Sequence, residues 1–176
     1  MKKAIYVIFS IICVFTVIAF CVFNFVLYPE KYVNYVTLYS DEYNLDYPLV
    51  YAIIKTESNF NERAVSPSNA KGLMQLIPST AKYIAKELDI SLTDESLFDP
   101  KINIRFGCFY LNYLFEKFNN TDVVVCAYNA GEGVVKNWID ENGNLIPESI
   151  TYPETKNYYK KVMNYYRIYK NKKIYV

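Results

Sequence analysis

Histidine is absent from the chain. That excludes Ser-His-Asp and Cys-His catalysis, and with them every His-ligated metal site. Cysteine is scarce, and two of the four, Cys13 and Cys21, lie inside an apolar run. The other two, Cys108 and Cys126, stand 18 residues apart with no histidine to help, a poor zinc site. Both fall in apolar helical patterns and read as buried free thiols; a Cys108–Cys126 disulfide is the alternative for an exported domain. Charge excess is missing too. The 19 basic residues face 18 acidic ones, which gives no nucleic-acid signature. There are no internal repeats, no Gly/Ser linker and no long alternating strand runs. No metal or cofactor is expected, so catalysis must rest on carboxylates, hydroxyls, amides or lysine.

Charged residues disappear altogether from Ala4 to Tyr28, a run of 25 residues. A secretory signal needs an apolar stretch of only about 7–15 residues, whereas a bilayer needs about 20. The run ends in Val26-Leu27-Tyr28-Pro29-Glu30 without a small-x-small cleavage site. Phe20 precedes Cys21, where a lipoprotein signal wants a small residue. Lys2 and Lys3 come first, so the positive-inside rule predicts a cytoplasmic end at 1–3, a transmembrane anchor at 4–28 and an extracytoplasmic domain at 29–176. A long cleaved signal is the competing reading, and the domain is exported in both.

The exported chain is long enough for one domain with its own core, and its punctuation predicts a mainly α fold. Tyr32 to Tyr43 reads as a first helix. Asp46 or Tyr47 opens the next, with Pro48 in its first turn, where a missing N–H does no harm. That helix ends near Glu57, because Ser58-Asn59-Phe60-Asn61 is turn chemistry. Further helices are predicted over Pro78–Leu88, Lys101–Phe118 after Asp99-Pro100, Thr121–Ala127 with Thr121 as cap, Val134–Glu141, and Pro153–Lys172. A small hairpin around Asn142-Gly143-Asn144 is weakly signalled.

One carboxylate sits oddly in this pattern. Val50, Ile53, Ile54 and Glu57 share a helix face, because residues three and four apart stack on one side. Glu57 therefore ends the stripe that faces the core. Burial disfavours its charged form and raises its pKa toward a range where it can donate a proton near neutral pH. The ordinary reading of a lone glutamate at a helix end is a solvated one. Two further segments weigh against that: Gly72-Leu73-Met74-Gln75, after a turn-rich loop, and Ala127-Tyr128-Asn129-Ala130-Gly131. A buried glutamic acid protonates a leaving glycosidic oxygen. A phenol such as Tyr128 can hydrogen-bond that carboxyl, and the amides of Gln75 and Asn129 suit sugar hydroxyls and N-acetyl groups.

Together with Glu57-Ser58 these segments resemble the lytic transglycosylase family, in its soluble-lytic-type, lysozyme-like catalytic domain, from about Tyr47 to Tyr159. The order and spacing are the family's: Ser66 lies nine residues after Glu57 and Gln75 eighteen. Pro153-Glu154-Thr155, followed by Tyr158-Tyr159, is similar to the family's closing segment. The resemblance implies a lysozyme-like α-helical fold and cleavage of peptidoglycan glycan strands between N-acetylmuramic acid and N-acetylglucosamine. It implies Glu57 as the catalytic acid and then base, a 1,6-anhydro product, and substrate contacts from Ser58, Ser66, Met74, Gln75, Tyr128, Asn129 and Glu154.

Asn69 departs from the family, which places Gly there; the position suggests positive φ, and Asn is the next most tolerant residue. Ser58 either braces the helix end or caps the next turn, and Met74 lines either core or cleft. Glu154 either lines the cleft or compensates a helix dipole. Trp138 reads as core or cleft rim. The tyrosines at 152, 158, 159, 165, 166, 169 and 175 read mostly as packing, with stacking on sugars the alternative; the basic tail (Lys160, Lys161, Arg167, Lys170, Lys172, Lys173) reads as a solvated face, with contact to anionic wall polymers the alternative. Two rival functions remain: a hydrolase of the same fold, and a non-catalytic glycan-binding scaffold. The membrane is a partner through the N-terminal helix, and recruitment of envelope-machinery proteins stays open.

Overall fold

The structure, a computed structural model, describes residues 2–172; Lys173 of the basic tail and Tyr175 of the tyrosine set lie outside the described residues. The chain divides into two units, Met1–Lys31 and Tyr32–Val176. In the first, helix α1 (Lys2–Cys21) continues as a wider π-helical segment, Val22–Leu27. The 23 residues Ile5–Leu27 are long and apolar enough to cross a membrane. Two of its polar side chains bond back to their own helix: Thr16 Oγ1 donates to the Cys13 carbonyl (2.8 Å) and Asn24 Nδ2 to that of Phe20 (2.9 Å).

The second unit is mainly α, as predicted. It contains α2 (Val33–Glu42), α3 (Tyr47–Ser58), α4 (Pro78–Glu87), α5 (Pro100–Phe118), α6 (Thr121–Ala130), α7 (Glu132–Val135) and α8 (Pro153–Asn171). Helix α3 is the centre. Every residue from Pro48 to Ile54 is buried, and Tyr51 stacks on Tyr169 of α8 at 5.3 Å between ring centres. Helix α6 packs on both α5 and α8, while α2 and α4 pack on α5. The sequence punctuation explains the joints. Pro48, Pro78, Pro100 and Pro153 each stand in the first turn of a helix. Asp99 caps α5 by accepting from the amides of Lys101 (2.8 Å) and Ile102 (3.1 Å). Asn59 and Asn119 close α3 and α5 in the left-handed conformation.

Two predicted elements are corrected. Asn120, not Thr121, caps α6, accepting from Asp122 and Val123 amides, and the helix runs on to Ala130. The predicted helix Val134–Glu141 is only α7 followed by a 3₁₀ turn, Lys136–Trp138. Asp140 is the reason: its carboxylate accepts from the amides of Asn142 (2.9 Å) and Asn144 (2.8 Å) and so offers the backbone an alternative to helix. The weakly signalled hairpin is a single bridge, Ile139 to Leu145, with Gly143 at φ +77°. Trp138 is core, 2% exposed and edge-on to Tyr152. Cys108 and Cys126 are buried free thiols, as read from their apolar surroundings.

Candidate active site

Helix α3 is buried until its last turn, where it delivers Glu57, half-buried, to the wall of a cleft of about 550 Å³. Ser66, Gln75, Tyr128, Asn129 and Glu154 line the same cleft, with Ile77, Thr80 and Tyr110. Six of the eight predicted site residues therefore converge from four separate stretches of chain. Ser58 and Met74 do not line it. The Ser58 hydroxyl donates to the Ile54 carbonyl (3.2 Å) and braces the end of α3. Met74 is fully buried, its side chain packed on Gly107 of α5, so its reading as a substrate contact is corrected to core.

The Gly72–Gln75 segment is held by a residue the sequence did not flag. Asn103 of α5 is 1% exposed, and its amide is fully used. Oδ1 accepts from the Met74 amide (2.7 Å), while Nδ2 donates to the carbonyls of Leu97 (2.8 Å) and Lys71 (3.0 Å). Gln75 takes a left-handed φ of 48° and spends its side-chain N–H groups on the Gly72 (2.9 Å) and Ala64 (3.1 Å) carbonyls. That leaves its amide oxygen, an acceptor, for the cleft. Upstream, Ser66 closes its loop by accepting from the Ala70 amide through Oγ (3.0 Å). Asn69 has φ +62°, the conformation its place in the loop suggested.

Tyr158, not Tyr128, is the phenol on Glu57. Its hydroxyl donates to Oε1 at 2.8 Å across 101 residues of sequence. Tyr128 instead donates to the Met74 carbonyl (2.9 Å) and tilts against Tyr110 at 5.5 Å. A signal for Tyr158 was present: it lies four residues after Glu154 on α8, and residues at that spacing share a face. Burial pushes the Glu57 carboxyl up to about 7; the Tyr158 hydrogen bond opposes this, and the negative charge of Glu154 adds to it. Both phenols are pushed well above their ordinary value, chiefly by burial, so they stay neutral donors. A second depression runs along α8 past Lys160, Met163, Arg167 and Lys170, but no carboxylate lines it. Those three cations are exposed, as a solvated face should be.

A carboxyl in a cleft wall, poised near neutrality and held by a phenol with amides around it, can protonate a leaving oxygen. Comparison with known proteins gives the family. The family model of the transglycosylase SLT domain matches residues 34–150. This chain belongs to that family. The soluble lytic murein transglycosylase of Salmonella typhimurium is 33% identical over 152 residues, 82% of this chain and 24% of that protein. The membrane-bound lytic murein transglycosylase C of Histophilus somni is 33% identical over 138 residues, 71% of this chain and 38% of its own length. Among solved structures, an inactive glutamate-to-glutamine mutant of the lytic transglycosylase Slt from Pseudomonas aeruginosa superposes with a TM-score of 0.77 at 32% identity, covering 82% of this chain and 25% of that one. The α2–α8 unit thus has the lysozyme-like fold of the SLT domain. It spans about a quarter of the length of the soluble relatives it matches.

Proposed function

We propose that this SLT domain is a peptidoglycan lytic transglycosylase in which Glu57 alone serves as acid and base. The protonated Glu57 gives its proton to the oxygen bridging N-acetylmuramic acid and N-acetylglucosamine. As carboxylate it then takes the proton from the muramoyl C6 hydroxyl, which attacks C1 of the same sugar and closes a 1,6-anhydro ring. Atoms balance without water, and intramolecular attack carries a large effective molarity. The observation that carries this reading is Glu57 itself, a half-buried, desolvated acid poised near pH 7 with Tyr158 on Oε1. Ser66, Gln75, Tyr128, Asn129 and Glu154 are proposed to hold the glycan. We place the chain as a single-pass membrane protein, Lys2 and Lys3 cytoplasmic and the SLT domain on the wall side.

Glu154 supports the rival reading. It puts a second, exposed carboxylate on the cleft, where a hydrolase would hold a water-activating base. Mass spectrometry of fragments released from purified peptidoglycan decides between them. Anhydro-muramoyl ends are the expected product; reducing ends would make the enzyme a muramidase, and no release would make it a glycan-binding scaffold.

The pH profile follows from the carboxyl. The acid must be protonated to act, so kcat/KM should fall about tenfold per pH unit above about 7. Tyr158→Phe removes a bond that favours the charged form, so the falling limb should move to higher pH. At its optimum the variant should lose about tenfold in rate, the worth of one orienting bond to a charged group. A limb that stays in place would show that Tyr158 does not act through Glu57.

A further inference from the structure

We infer that one face of α8, beyond the cleft residues, is a docking groove for a linear phosphodiester polymer of the cell wall. The inference goes beyond the proposed reaction and rests only on the proposed wall-side placement of the domain. Charge is divided unevenly along the chain. From Pro29 to Glu154 ten basic residues face eighteen acidic ones, whereas seven basic residues and no acidic side chain follow Glu154. The fold does not mend that division. Arg105 pairs with Glu42 (3.0 Å) and Lys117 with Glu132 (2.6 Å), but among the described residues no carboxylate pairs with Lys160, Arg167 or Lys170. A domain with acid to spare thus keeps three cations together and unneutralised, and their mutual repulsion is relieved when anions join them.

The three cations are set along a depression of about 480 Å³. Lys160, Asn164, Arg167 and Asn171 follow one another at helical spacing, share a face of α8 and line it, with Lys170 beside them. Met163 and Tyr166, both half-buried, line it as well. Helical rise separates Lys160 from Arg167 by about 10 Å and Arg167 from Lys170 by about 5 Å. Two of the charges are held in place. Arg167 Nη2 donates to Asn164 Oδ1 (3.0 Å), and Lys170 Nζ stands 5.3 Å from the centre of the Tyr166 ring. Tyr166 is fixed in turn, its hydroxyl donating to Asp46 (2.6 Å), a carboxylate that is thereby engaged at the margin. Cations spread along a helix face reward a chain of repeated anions over a single one. The carboxamides can donate to or accept from the hydroxyls of a polyol phosphate. A bilayer fits less well: helices that lie on membranes insert large apolar side chains, and among the described residues α8 exposes none.

The test is binding of polyglycerol phosphate to the full chain held in nanodiscs of a zwitterionic lipid. Salt of about 0.15 M confines charge effects to roughly 8 Å. The triple variant Lys160→Gln/Arg167→Gln/Lys170→Gln should bind the polymer about tenfold or more weakly, since each exposed ion pair is worth a factor of about two to five. Lys82→Gln/Lys86→Gln/Lys101→Gln removes the same charge from other exposed positions and should stay within about twofold of the parent. Lys160→Arg/Lys170→Arg keeps the charges and should do the same. Both glutamine triples should release fragments from polymer-free peptidoglycan at the parent's rate, which shows that the fold is kept. No binding of the polymer by the parent would overturn the inference. So would equal weakening in the two triples, which would reduce the effect to net charge. So would empty phosphatidylglycerol nanodiscs that compete as well as the polymer per phosphate, which would make the face a membrane contact. Binding needs no turnover, so failure of the catalytic reading shows elsewhere, as product release that survives Glu57→Gln.

Discussion

Glu57→Gln is expected to reduce release of anhydro-muramoyl fragments by at least about 10³-fold, the upper part of what a positioned acid–base group contributes. The amide keeps the shape of the side chain, and its oxygen can still accept from the Tyr158 hydroxyl, so the cleft survives. What it loses is the proton. The same variant carries a second signature, in stability. The folded carboxyl binds its proton more tightly than an ordinary glutamate at 4.5, up to about 7. The stability that Glu57 contributes is therefore complete below about 4.5 and is lost as pH rises through about 7. The lost amount is on the order of 3 kcal/mol. Glutamine has no such dependence. The melting temperature of Glu57→Gln should match the parent at pH 4.5, rise above it between pH 5 and 7, and stay above it at pH 8. A parent and variant that melt in parallel across that range would mean that Glu57 is solvated, and the mechanism would lose its acid.

Much of this arrangement is legible in the sequence for local reasons. Proline in first turns and asparagine or aspartate at ends fix the helices, because a missing N–H, a left-handed φ or a side-chain cap acts within a few residues. Glu57 could be found because its oddity, a carboxylate on an apolar stripe, is also local. What escaped reading depends on distant partners. Tyr158 is one of 19 tyrosines, and only a contact across 101 residues distinguishes it. Met74 looked equally suited to core or cleft until Gly107, on another helix, gave it a place to pack. Asn103 lies inside α5 with nothing in its neighbours to announce that three backbone groups of other segments converge on its amide. The short α7 was missed although its cause is local, since Asp140 competes for the backbone only once the Asn142–Asn144 turn is formed.

That hidden support makes Gly72 the second position of large effect. Gly72 has φ +80°, and a Cβ there would collide with the Leu97 carbonyl and the Asn103 side-chain amide. Neither can retreat cheaply, because each is bonded to the other at 2.8 Å and Asn103 also holds Met74 and Lys71. Gly72→Ala should therefore cost the backbone strain, about 1 kcal/mol, plus at least about 2–3 kcal/mol for buried groups left unpaired. For a chain of this size that lowers the melting temperature by about 10 °C. Gly143→Ala supplies the control: its φ is +77°, but nothing lies within 4 Å of the added Cβ. Only the strain, about 1 kcal/mol, should appear there. Activity should separate the two as well, since displacing Asn103 releases the segment that carries Gln75 into the cleft, whereas Gly143 does not line it. Equal losses at the two glycines would reduce the effect to backbone conformation alone and remove Asn103 as the support of the site. A deeper loss at Gly72, with glycan turnover falling in step, would place the stability of the fold and the shape of the cleft on the same buried amide.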